Sequence, residues 1–239
     1  MPASSFAARF SGSGPGVRTP DGCSVELYRA LPYLGELDDV LERIPAGADV
    51  LELGCGPGRL TRVLLARGCG VVAVDNSPEM LAALPAQAVP VHAGIESLAL
   101  DASFDIALLA SGLVNHPDPA LRAAFLGAAR RHLRPGGRLF VQRHDPAWLR
   151  TAQAGSGRGD GPWRIEVEAA ERDGDGDRVA MTIRYGEADA RAWRHSFVAE
   201  ALDDAAVERA LAAAGFAAPA WLGARRRWIE AHAVPDAGR

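Results

Sequence analysis

VLELGCGPGRLTRVLL, residues 50–65, followed by VVAVD at residues 71–75, decides the fold. A short apolar run leads into glycines at 54, 56 and 58, and an amphipathic stretch follows, so the segment reads as strand, tight turn, helix, strand. Glycine lets the backbone turn sharply and lets a ligand approach the main chain with no Cβ in the way. A helix beginning near Gly58 would aim amide N–H groups at a bound polar or anionic group. Asp75 closes the second strand seventeen residues after Gly58, where a carboxylate can accept hydrogen bonds from a ribose diol. The spacing is G-x-G-x-G. A dinucleotide fingerprint would place its third glycine at position 59, which is Arg59.

Working outward, residues 50–53, 71–74, 89–92, 106–109 and 139–142 are short runs, β-branched or Leu-rich, that read as strands. Helix candidates at 60–67, 78–84 and 119–133 alternate with them. Pro78 and Pro119 stand where a first-turn proline suits the helix start. Strands apolar on both faces and separated by helices predict a doubly wound parallel sheet over about residues 48–143. Upstream, Leu27, Leu31, Leu34, Leu37, Leu41 and Ile44 recur at three and four residues, predicting helical pieces broken near Pro32 and Gly35.

Beyond Arg143 the texture changes. Residues 155–162 (GSGRGDGP) read as a loop, and three stretches around 165–169, 179–185 and 193–197 alternate at period two. They predict three inserted antiparallel strands, two of them joined by a turn at DGDGD, residues 173–177. Asp203 is a plausible N-cap for a helix ending before Gly215. Residues 217–222 and 226–233 predict a final hairpin turning at Gly223. The expected organisation is a flexible stretch over 1–22 and one domain over 23–239, with a core at 45–143, a cap insertion at 144–200 and a terminal helix and hairpin at 201–239.

Composition limits the chemistry. The 239 residues are 48% hydrophobic and 23% charged, the balance of one folded domain with a modest cap. A net charge of −4 argues against a nucleic-acid surface built on bulk positive charge. Every one of the 26 basic residues is Arg, which excludes Schiff-base chemistry, a Walker lysine and a lysine general base. Cys23, Cys55 and Cys69 sit at unrelated spacings and read as reduced thiols, with no metal site expected. The first residues lack the apolar core of a signal peptide, and no apolar run reaches the ~18 residues of a membrane span. A cytoplasmic protein is the expectation, with neither membrane nor nucleic acid as partner.

The ordered motifs resemble the class I S-adenosylmethionine-dependent methyltransferases. Residues 52–58 (ELGCGPG) resemble their E/D-x-G-x-G-x-G nucleoside loop, and Asp75 resembles the acid on their ribose hydroxyls. FDIALLASGLVNH, residues 104–116, resembles their fourth-strand segment beside the methionine moiety. LRPGGRLFVQ, residues 133–142, resembles their turn into the fifth strand. The resemblance covers residues 45–143 closely and the final helix and hairpin loosely. It implies S-adenosyl-L-methionine as cofactor and a Rossmann-like seven-stranded α/β sheet with six parallel strands and one reversed. An N-terminal helical lid and the antiparallel insertion would form its cap. The implied cofactor residues are Glu52, Gly54, Cys55, Gly56, Gly58, Asp75, Asn76, Ile95, Glu96 and Ser111. In VHAGIESL, residues 91–98, the family often carries an Asp at the place of Gly94, where it bonds the adenine amine; here Glu96 is the nearby carboxylate.

The implied reaction is attack of a small-molecule oxygen, nitrogen or carbon nucleophile on the sulfonium methyl. Its acceptor would be a secondary metabolite. A cyclase releasing methylthioadenosine and a non-catalytic S-adenosylmethionine-binding protein are the competing readings. A base is needed only where the nucleophile carries a proton, and histidine is suited to that. His144 and His116 follow the fifth and fourth strands, at the edge where open α/β sheets bind ligands. Capping of the sheet edge by His144 and a place in a helix-entry turn for His116 are the structural alternatives. Trp193 and His195 share a face with Phe197, which suits either a substrate wall or a half-buried sheet. Tyr28 and Tyr33 could close the other side, and Arg143 could pair with a substrate carboxylate. The arginines at 225–227 read as a charged hairpin rim.

Overall fold

The structure is a computed structural model and describes residues 10–160, 163–187 and 191–235. In chain order it forms β1 (Ser11–Ser13), α1 (Val25–Ala30), a 3-10 turn (Leu41–Arg43), β2 (Asp49–Leu53), α2 (Arg59–Ala66), β3 (Gly70–Asp75), α3 (Pro78–Leu81) and β4 (Val89–His92). β5 (Phe104–Leu109), α4 (Pro119–Arg131), β6 (Leu133–Gln142) and α5 (Pro146–Thr151) follow. Then come β7 (Gly157–Asp160), β8 (Trp163–Arg172), β9 (Arg178–Glu187), β10 (Arg191–Glu200), α6 (Asp204–Ala213), β11 (Ala220–Leu222) and β12 (Trp228–His232). Two units result. One holds the described residues up to Leu31, with 115–117 and those of 145–201; the other holds 32–114, 118–144 and 202–235.

The second unit is a seven-stranded sheet in the order β11-β12-β6-β5-β2-β3-β4. β2 runs parallel to β3 and β5, β3 to β4, and β5 to β6. β12 alone is reversed, and it lies between β6 and β11. Helices cover both faces, as the two-sided apolar strands require. Along β2, Val50 packs on the face that buries Leu60 and Leu64 of α2. Leu51 and Leu53 pack on the other, with Leu126 of α4 and Leu211 of α6. Ser77, Asp118 and Asp203 each accept an N–H from the first turn of the helix they precede. Such caps are worth about 1 kcal/mol apiece. Most boundaries of the parallel core differ from the sequence reading by one or two residues, and two differ by more. α3 stops at Leu81, short of residue 84. β6 begins six residues early because Leu133 already pairs with Phe104 across a register shift.

The first unit is an antiparallel sheet in the order β1-β10-β9-β8-β7. Its core joins Leu27 and Leu31 of the α1 segment to Trp163 and Trp193, beside a second cluster around Leu149, Val167 and Met181. The expectation of a flexible stretch over 1–22 is corrected for its described part, because Ser11–Ser13 pairs with Ser196–Arg194 of β10; residues 1–9 lie outside the described residues. The expected loop over 155–162 likewise contains β7, paired with β8. β1 (SGS) and β7 (GRGD) carry no apolar side chain, so no hydrophobic pattern announced these ladders. The helical pieces read over 25–44 divide between the units. Leu27 belongs to the first core, whereas Leu37, Val40 and Ile44 belong to the second.

Candidate cofactor and active site

In the parallel sheet the strand order reverses between β2 and β5, and open α/β sheets bind ligands outside the carboxyl ends of strands at such a point. The segments leaving β2 and β5 carry the Gly54–Gly58 turn and the Ser111-Gly112 turn. β3 ends at Asp75, and His144 follows β6.

The glycine turn is tied to β3. The amides of Gly54 and Cys55 both donate to the Val74 carbonyl, and the Gly58 amide donates to Cys55. The Gly56 amide donates to Oδ2 of Asp75 at 2.8 Å, and the Ser77 amide donates to Oδ1 at 2.9 Å. Both carboxylate oxygens are thereby aimed. Gly56 has φ +54, and a Cβ there would meet no atom of the described residues within 4 Å. The main chain is thus open to close approach at that point. The turn spends most of its own N–H groups internally. What remains for a ligand is the bare Gly56 surface, the Asp75 carboxylate and the first turn of α2, which has no side-chain cap.

Glu52 points into the same face of β2 as Val50. It is 2% exposed, and Thr61 of α2 donates to its Oε2 at 2.6 Å. Burial pushes its carboxyl up to about 7, with the Thr61 hydrogen bond lowering it and the Asp75 charge raising it. Its contact is therefore with α2, and it acts on the turn as a strut. Thr61 was missed in the sequence, although a hydroxyl beside Leu60 on an apolar helix face was a visible signal. Cys55 is buried with its thiol on the Gly56 carbonyl.

Further along the edge, Gly54 packs against Leu113, with Ile95 close by. Ile95 is buried and Glu96 exposed. The Glu96 carboxyl folds back to where a side chain on Gly94 would stand. An acid thus occupies the place left by the missing Asp. Asn76 is exposed, and its carbonyl faces Nε2 of His92 at 3.1 Å. Ser111 has φ +58, a left-handed conformation that costs a non-glycine residue roughly 1 kcal/mol. Its amide donates to Oε1 of Gln142 at 2.9 Å, so the end of β6 holds the turn after β5.

His144 lies against that turn. A Cβ on Gly112 would fall 2.5 Å from His144 Nε2. Burial, with the nearby Arg227 charge adding to it, depresses the imidazole to about 4. The ring is neutral at pH 7.

The other expected site residues have different surroundings. His116 belongs to the first unit and stacks on Phe10, with ring centroids 5.4 Å apart. His195 also lies there, with Nε2 3.6 Å from the Cys23 sulfur and its ring tilted on Phe197. Burial lowers its pKa, and Asp21 opposes that. The Tyr28 hydroxyl is 3.9 Å from the same sulfur, and burial raises its pKa. Trp193 is corrected from substrate wall to core. It is fully buried, stacked on Trp163, and its indole N–H donates to Pro15. Tyr33 donates to Asp38 and accepts from the Leu37 amide, which commits its hydroxyl to its own loop. Arg143 is corrected as well. It is 4% exposed, donates to the Leu202 and Arg226 carbonyls and to Asp204, and lies over the Trp221 ring at 4.2 Å. Its guanidinium staples the start of α6 to β6.

Comparison with known proteins adds three findings. The family described as a methyltransferase domain matches residues 50–137. A ubiquinone biosynthesis O-methyltransferase from Xylella fastidiosa is 34% identical over 145 residues, 56% of each chain, so this chain spans about half the length of that relative. Among solved structures, an S-adenosylmethionine-dependent methyltransferase from Clostridium acetobutylicum aligns with TM-score 0.68 at 18% identity, covering 87% of this chain and 94% of that one. An amino pentose methyltransferase from Micromonospora echinaspora aligns at 0.65 and 22%, with the same coverage. The glycine turn and the acid after β3 lie within the stretch, residues 50–137, that the methyltransferase-domain family matches, and the chain shares its fold with these S-adenosylmethionine-dependent methyltransferases.

Proposed function

We propose that the protein transfers a methyl group from S-adenosylmethionine to an oxygen, nitrogen or carbon nucleophile of a small molecule, of the kind found in secondary metabolism. The observation that carries this reading is the Asp75 carboxylate fixed by the Gly56 amide beside the open face of Gly56. That pairing fits an adenosine group, with an acid for the sugar hydroxyls next to main chain that none of the described residues obstructs. Ile95 offers an apolar edge, and Glu96 offers an acid in place of the one absent at Gly94. When bound, the cofactor supplies a methyl on a sulfonium, an activated leaving group, so alignment and desolvation supply much of the catalysis. His144, uncharged at neutral pH, takes the proton from an acceptor hydroxyl or ammonium. Ser111, held by Gln142, shapes the wall between the turn and that histidine.

The small acceptor is supported by the relative in ubiquinone biosynthesis and by the net charge of −4. No helix of the described residues is long and apolar enough to cross a membrane, which accords with a cytoplasmic site of action. The test is calorimetry with S-adenosylhomocysteine and NADH, followed by turnover on a panel of phenols, amines and hydroxy acids. Binding of the first nucleotide, with S-adenosylhomocysteine formed on turnover, is expected. Preference for NADH, or release of methylthioadenosine, overturns the reading.

A further inference from the structure

Arg227 immediately precedes β12, and its carbonyl accepts from the Arg143 amide at 2.8 Å. Because β12 runs against β6, its first residues lie at the edge where β2, β3, β5 and β6 end. The neighbouring arginines are spent. Arg143 and Arg226 share Asp204 and stack on Trp221 from 4.2 and 4.8 Å. Arg227 is different. Its Nε is buried with no acceptor, and among the described residues no carboxylate pairs with its guanidinium. It is also the charged group felt at His144.

A buried guanidinium N–H without an acceptor carries its whole desolvation cost. Such a group calls for a partner, and at Arg59 and Arg172, whose Nε atoms are in the same state, the other guanidinium nitrogens have Glu36 and the Leu149 and Ala152 carbonyls. We propose that Arg227 binds an anionic oxygen, carboxylate or phosphate, of the methyl acceptor and so holds the acceptor's nucleophile beside His144. The inference rests on the methyltransferase reading for what the anion belongs to. Sheet order assigns the anion to the acceptor and not to the nucleoside. The glycine turn leaves β2, whereas Arg227 adjoins β12, three strands away, on the order of 14 Å at the usual strand spacing. The arrangement also couples binding to proton transfer. A bound anion neutralises Arg227, which removes its repulsion of a proton on His144 and makes that base stronger when the acceptor is seated.

The test is an NMR titration of the His144 imidazole, assigned by loss of its signal in His144→Gln, in the full chain saturated with S-adenosylhomocysteine. Benzoate, phenyl phosphate and the neutral benzamide serve as probes. The expected result is that an anionic probe raises the His144 pKa by at least half a unit and benzamide leaves it in place. Response to benzoate alone identifies a carboxylate acceptor, and response to phenyl phosphate alone a phosphorylated one. Arg227→Gln should raise the starting value, abolish the response and weaken anion binding at least tenfold, with Arg227→Lys retaining part of it. Equal responses to benzoate and benzamide, or undiminished anion binding by a folded Arg227→Gln, overturn the proposal. The wild-type contrast decides even if that variant fails to fold. Failure of S-adenosylhomocysteine to bind would instead sink the methyltransferase reading, and the anion response is read separately.

Discussion

Gly112 and His144 exclude one another's growth: a Cβ on Gly112 would stand 2.5 Å from Nε2 of the imidazole. Gly112 also has φ +69, so Gly112→Ala meets both backbone strain and overpacking, together about 2–4 kcal/mol. Urea unfolding of the double-mutant cycle with His144→Ala checks the contact. Removal of the ring should recover the overpacking part and leave the strain. Strict additivity would show that the two residues are independent.

For the chemistry, His144→Ala should leave S-adenosylhomocysteine affinity near that of the wild type and lower kcat by ~10²-fold or more. Steady-state kinetics beside calorimetry separates the two effects. Unchanged turnover would remove His144 from proton transfer and leave it as packing for the Ser111-Gly112 turn.

Asp75→Ala should act on the cofactor instead. Two amides lose their acceptor and a ribose loses its acid, and affinity for S-adenosylhomocysteine should fall by ~1.5–3 kcal/mol. The variant is measured by calorimetry, with kcat at saturating cofactor expected to fall far less than KM rises.

Glu96 offers a swap test. Glu96→Ala should weaken S-adenosylhomocysteine at least fivefold, and adding Gly94→Asp should restore it. Gly94 has φ −71, which any residue can adopt, and the space its side chain needs is the space the Glu96 carboxyl vacates. Gly94→Asp alone should not help, because two acids would then share one place. Restoration that fails in the double variant would show that Glu96 does not stand in for the missing acid.

The pH dependence of stability should hide two opposing slopes. Glu52, raised to about 7 by burial, contributes stability that is full below its ordinary value of 4.5 and is lost as pH climbs through 7. His144, lowered from 6.5 to about 4, contributes stability present above 6.5 and lost as pH falls through 4. Each is worth about 3 kcal/mol at full effect, and from pH 4.5 to 6.5 they largely cancel. Urea unfolding across that window should show Glu52→Gln gaining on the wild type as pH rises and His144→Gln gaining as it falls. Parallel curves for either variant would refute that assignment.

What the sequence revealed was the part written in side chains. The five parallel strands, the first-turn prolines at 78 and 119 and the N-cap at Asp203 follow from apolar period and residue type, and they lie close to where that pattern put them. What it concealed falls into two kinds. β1 and β7 are short ladders with no apolar side chain, SGS and GRGD, and so with no hydrophobic period to read. Arg143, Tyr33 and Trp193 carry functional-looking groups whose partners, Leu202, Asp38 and Pro15, only folding supplies. Arg227 is the converse case. In the sequence it is one of three like charges on a hairpin, and only the pairing of β12 with β6 distinguishes it.

The reversed strand also sets the order of assembly. β6 is complete at Gln142, but the neighbour that covers its outer edge begins at Trp228, so about eighty-five further residues must be made before that edge can close. Until then Phe140 and Val141 border a row of unsatisfied peptide groups on the growing chain, an invitation to aberrant strand pairing. The outer edge of β6 is therefore open through the making of the whole antiparallel insertion and of α6.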